Sequence, residues 1–145
     1  MKTFDDTEAE FCRLIGAFLL EFSQLETTIR MRLASAINLP ERYSDIIMSA
    51  FDFARLCTVT EAILTQQHPQ DSSEIKKLFG DCQSLNQERV RAAHGLLAPD
   101  MDGNFSARMV SRNNFKEGWH FGNGELVGLI DKAQGLMKRM IGLAS

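Results

Sequence analysis

Proline, cysteine and surplus positive charge are all scarce in this chain. Three prolines in 145 residues leave most of it free of the residue that ends helices. Glycine is concentrated late in the sequence, so the first ~95 residues can be mostly helical. The three cysteines, Cys12, Cys57 and Cys82, form no CxxC pair and no cluster with histidine. That argues against a zinc site, and the odd number argues against a disulfide framework. Reduced, buried thiols in a cytoplasmic protein are expected instead.

The net charge is −3 and the pI about 5.6, which excludes coating nucleic acid by bulk charge but leaves room for a local basic site. The longest apolar run, Leu14–Leu20, is too short and too closely flanked by charge to span a membrane. The opening MKTFDDTEAEF is acidic and lacks the apolar core of a signal peptide. No repeat or low-complexity linker is present. A 44% hydrophobic chain of this length suits a single domain, residues 1–145, with a sizeable core.

Apolar periodicity predicts four helices. Thr7 with Glu10 reads as a capping box, followed by Phe11, Ile15, Phe18, Phe22, Leu25 and Ile29 in a three-four seam that Leu14, Leu19, Leu33 and Ile37 widen. This helix is expected to end near Asn38, and Pro40 to open the next. A second helix is read from Glu41 to Gln67, with Ile46, Ile47, Ala50, Phe51, Phe53, Ala54, Cys57, Ile63 and Leu64 facing inward. HPQDSS breaks it, and Asp71 with Glu74 marks the start of a third. APDMDGN is turn-like. NFSARMVSR and FKEGWHF read as hairpin strands with Asn113 and Asn114 at the turn. A last helix starts at Gly122 or Asn123. The expected fold is all-α: a four-helix up-and-down bundle with a short β-hairpin or irregular insert before the last helix.

The third helix carries the feature that points to function. Positions 75, 78, 82, 85, 89, 92 and 96 form a clean three-four stripe, and all are apolar or small except Arg89. A guanidinium on such a stripe costs several kcal/mol unless it is paired or hydrated. It can pair with a carboxylate such as Glu21, Glu26 or Asp81, snorkel to the bundle edge, or face a cleft where an anion arrives. His94 follows five residues later, rotated by about 140° on an ideal helix. Asn86, Val90 and His94 line one flank at i, i+4 spacing and form the rim of a groove.

The stretch ERVRAAHG resembles the signature of HEPN (higher eukaryotes and prokaryotes nucleotide-binding) domains: an arginine, four residues, then a histidine, here Arg89 and His94 with Ala93 and Gly95 in place. A long first helix containing FSQLETTIR, a second helix, the motif helix, a short insert and a final helix extend the resemblance over nearly the whole chain. It implies a homodimer with the two motif helices near the twofold axis, and metal-independent RNA cleavage at a composite site in active members. Arg89 would hold phosphate and His94 would transfer protons. It also implies, for some members, a toxin or defence effector with an antitoxin or other protein partner. Two positions depart from the pattern. Val90 stands where the residue after the arginine is often polar, and Leu96 replaces the tyrosine of a His-x-Tyr ending.

Further residues complete the candidate set. Glu26 is a candidate to orient Arg89 or His94, and equally a surface residue. Arg108, Arg112 and Lys116, with Trp119, His120 and Phe121 close behind, can grip single-stranded RNA, although an amphipathic hairpin whose aromatics cover the bundle end is the favoured reading. GWHFGNGE lacks a phosphate-loop lysine, and no cofactor or metal is expected. Two functions remain open: a dimeric HEPN-type endoribonuclease, or a non-catalytic HEPN-like module for dimerisation, partner or nucleic-acid binding.

Overall fold

A computed structural model describes residues 4–94, 96–99, 105–110 and 117–143; for the strands it describes the backbone. Five helices make up most of it: α1 (Phe4–Ala36), α2 (Glu41–Met48), α3 (Phe53–Gln67), α4 (Ser72–His94) and α5 (Asn123–Gly142). A single 3-10 turn, Pro69–Asp71, joins α3 to α4. Between α4 and α5 lie β1 (Leu96–Pro99), β2 (Phe105–Val110) and β3 (Glu117–Phe121) in an antiparallel sheet of order β1-β2-β3. Ala107 faces Phe121 and Met109 faces Trp119, but Val110 faces Glu117, so Gly118 is the bulged residue. Asn113 and Asn114 lie outside the described residues.

The first helix follows its seam. Phe11, Leu14, Phe18, Phe22, Leu25, Ile29 and Leu33 are all buried. It begins earlier than expected, at Phe4, so Thr7 lies inside it. Its end is a Schellman motif. Asn38 takes the left-handed conformation at φ 52°, Leu39 N–H donates to Ala34 O (2.9 Å) and Asn38 N–H donates to Ser35 O (3.2 Å). Ile37, read as widening the seam, is exposed.

The predicted second helix is a correction, because the chain breaks it in two. Asp52 caps a new helix, its Oδ1 accepting from the backbone N–H of Arg55 at 2.8 Å. The break changes the phase of everything before it. Ile46 is 70% exposed and Ile47 is also exposed, and Met48 is the buried residue of α2. In α3 the inward side is Phe53, Leu56, Cys57, Thr60 and Leu64.

The break also sets the topology. Phe22 packs on Phe53, and Gln67 Nε2 donates to Ala36 O, so α1 and α3 run in the same direction. The short α2 must carry the chain back down between them. Gln83 Nε2 donates to Ala54 O, and the tight turn before α4 makes α4 antiparallel to α3. Gln134 Nε2 to Glu21 and Arg32 Nη2 to Leu143 O align α5 with α1. Direction therefore alternates at every helix, but over five helices instead of four.

Arg30 fastens the α2–α3 corner. Its guanidinium donates to Met48 O, to Phe51 O (3.1 Å) and to Glu26 Oε1 (2.7 Å). Met48 O, on the last residue of α2, also accepts from the Phe51 N–H (3.2 Å), and Phe51 O lies in the link to α3, so the arginine ties both sides of the corner to α1. Arg30→Met is expected to lower stability by about 2 kcal/mol, since hydrogen bonds to a charged donor exceed neutral ones and Phe51 O loses its side-chain donor, while Met48 O keeps the Phe51 N–H. Glu26→Gln should lose only about 0.5 kcal/mol, as for an i,i+4 pair open to solvent screening. Urea titration of both variants measures the difference.

The cysteines divide. Cys57 and Cys82 are buried, whereas Cys12, read as buried, is exposed. Burial, with the nearby Cys82 sulfur and the Glu61 and Glu26 carboxylates adding to it, pushes the Cys57 thiol well above its ordinary value. Burial pushes Cys82 up to about 12, partly offset by Arg139. Their folded pKa values are raised, so both thiols stay protonated in the native state. Above about pH 9 the unfolded chain releases protons that the native chain retains, and stability falls as pH rises. With a colorimetric thiol reagent at about pH 8, Cys12 is expected to react rapidly and the other two only after denaturation.

Candidate functional site

Helix α4 forms because its stripe fits the bundle. Ile75, Leu78, Phe79, Cys82, Leu85 and Ala92 are buried, and Arg89 sits in line with them, half-buried. Its guanidinium is held by neutral groups. Nε and Nη2 both donate to Asn86 Oδ1, at 3.1 and 3.0 Å. The guanidinium carbon lies 5.1 Å from the centroid of the Phe22 ring, within cation–π range. Phe22 is itself 2% exposed, with its ring 4.5 Å from that of Phe53.

The carboxylates that sequence spacing offered to Arg89 are engaged elsewhere. Glu26 meets Arg30 at 2.7 Å, Asp81 meets Arg139 at 2.8 Å, and Glu21 accepts from Gln134 at 3.2 Å. Among the described residues, no carboxylate lies within ion-pair distance of Arg89. Its neighbour Arg91 gives the contrast on the same helix, because Arg91 is paired with Glu88 at 3.0 Å. A cation held by an amide and a ring keeps its whole charge for an incoming anion. A cation held by a carboxylate does not.

The other candidates are placed as follows. Asn86 touches Arg89 directly. Val90 is 37% exposed beside it. His94 is the last residue of α4 and is exposed, off the buried stripe, as its 140° rotation requires. The structure therefore joins Arg89 with Asn86 and separates both from His94. Glu26 orients Arg30 instead of Arg89 or His94. Of Arg108 the backbone is described, paired with Leu96 and His120; Arg112 and Lys116 lie outside the described residues.

A search of family models, curated proteins and solved structures finds no match to this chain.

A concave region lies away from Arg89, at the ends of α1 and α3, a cleft of about 240 Å³ lined by Arg32, Ser35, Gln67 and His68 among others. Its polar groups serve the helix ends: Arg32 donates to Leu143 O and Gln67 to Ala36 O. Two helix C-termini meet there, and their dipoles disfavour an anion. Among the described residues no three histidine, cysteine or acidic side chains come together as a metal site, and no helix is long and apolar enough to cross a membrane.

The partner of Arg89 that sequence spacing missed is Phe22. Its place on the α1 seam marks it as core, but nothing in the seam says which helix brings a cation onto it. Replacing Arg89 with Met should keep the protein within about 1 kcal/mol of wild type, because the thioether lies on the same ring and no carboxylate is left unpaired. Thermal denaturation checks this.

Proposed function

We propose that the chain is a HEPN-type, metal-independent endoribonuclease, a toxin-like or defence effector that works as a homodimer. Arg89 binds the phosphodiester and His94 transfers protons. The observation that carries this reading is the guanidinium of Arg89, half-buried and, among the described residues, held by Asn86 and the Phe22 ring with no carboxylate partner. An arginine needed only for folding would gain more from a carboxylate at that i−3 position, as Arg91 does from Glu88.

The reaction needs no cofactor. A ribose 2′-OH attacks the adjacent phosphorus and gives its proton to a base. The P–O5′ bond breaks and the leaving oxygen takes a proton from an acid. The products are a 2′,3′-cyclic phosphate and a 5′-OH end. Arg89 would stabilise the charge that builds on the phosphoryl oxygens. Its separation from His94 on one helix supports a composite site, in which a second copy of the chain brings its histidine to the phosphate held by the first. Arg108, Arg112 and Lys116 would add phosphate contacts along the strand of RNA.

One observation favours the second reading, a non-catalytic HEPN-like module that uses the same groove for dimerisation or partner binding. Val90 is 37% exposed next to Arg89 and offers an apolar contact where a catalytic site would use a polar one. Labelled RNA incubated with the dimer in EDTA separates the two. For the nuclease, wild type cuts, and His94→Ala and Arg89→Ala each slow cutting by about 100-fold or more. A folded wild type that leaves varied RNAs intact in EDTA overturns the nuclease and favours the module.

A further inference from the structure

We propose that Asn86 is the positioning residue of the Arg89 site: it selects which edge of the guanidinium meets the anion and, being an amide, leaves the charge free. This inference rests on Arg89 being the phosphate-binding group.

A guanidinium has five N–H donors and no acceptor, so the amide oxygen of Asn86, and not its nitrogen, must face it. Nε and Nη2 together point at that one oxygen, at 3.1 and 3.0 Å. The side edge of the fork is thereby filled. Among the described residues the end edge, Nη1 with the second Nη2 hydrogen, has no partner, and this pair matches two oxygens of a phosphodiester. The Phe22 ring lies against the guanidinium at 5.1 Å and covers one of its faces. With one face and one edge taken, an anion is left with an in-plane approach to the end edge.

The amide also sets the charge. Glu88–Arg91 shows that this helix accommodates an i,i+3 carboxylate–arginine pair. A carboxylate at position 86 would fill the same edge with equal or better geometry, but it would neutralise the cation. Asn86 supplies the orientation without the neutralisation.

The test is binding of a short single-stranded 2′-O-methyl oligoribonucleotide, which lacks the attacking hydroxyl and cannot be cut, read by fluorescence anisotropy. Asn86→Asp should weaken binding about tenfold or more while leaving the melting temperature unchanged or higher, a split that a purely structural residue would not produce. Gln87→Glu adds the same charge one residue away on an exposed position and should change affinity less than about twofold. Asn86→Leu keeps the cation but frees it to rotate. It should lose a fewfold in affinity and broaden the Arg89 Nε–H resonance. Asn86→Asp within twofold of wild type, or no weaker than Gln87→Glu, overturns the role of Asn86 if Arg89→Met still abolishes binding. So does Asn86→Leu equal to wild type. If wild type binds no better than Arg89→Met, the phosphate-binding reading falls, and this proposal with it.

Discussion

Where α1, α3 and α4 meet, one buried aromatic ring does the joining. Phe22 packs its ring on Phe53 at the start of α3 and presents it to the guanidinium of Arg89 on α4. The first contact fixes where α3 begins relative to α1, and so the level to which α2 must return the chain. The second makes a charged residue tolerable in line with Leu85 and Ala92. A quadrupolar ring and an amide oxygen stabilise a cation without cancelling it, which a carboxylate in either place would do. The fold and the candidate site thus share one side chain.

Three of the helices were legible in the sequence because their periodicity is long and uninterrupted. The α1 seam and the α4 stripe run for five turns or more each, and the residues they marked are mostly the buried ones; the last helix, expected from Gly122 or Asn123, runs as α5 from Asn123. The position of Arg89 on its stripe was legible for the same reason. The division of Glu41–Gln67 was not. Ile46, Ile47, Ala50, Phe51 and Phe53 supply apolar residues at a density that fits a single helix, and the Asp52 cap falls in the middle of them. Capping chemistry won over hydrophobic count. The consequence is that Ile46 faces out while Leu56, which the count left aside, is buried.

The partners of Arg89 illustrate the limit of spacing arguments. Three carboxylates were plausible on distance along the chain, and all three bind other groups. Which of several acids meets a given arginine depends on helix rotation and register, and local sequence fixes neither. Asn86 was visible as a neighbour on the groove flank, whereas Phe22 required knowing that α1 and α4 touch.

The corner at α2 has a bearing on how this chain tolerates change. Arg30 grips the end of α2 through the Met48 carbonyl and the link to α3 through the Phe51 carbonyl, and α2 itself contributes little beyond Met48 to the interior. A segment anchored by its main chain places few demands on its own side chains. Exposed positions such as Tyr43, Ile46 and Ile47 can therefore accept a label or graft in the laboratory, while the arginine on α1 that holds the segment cannot be replaced without loosening it.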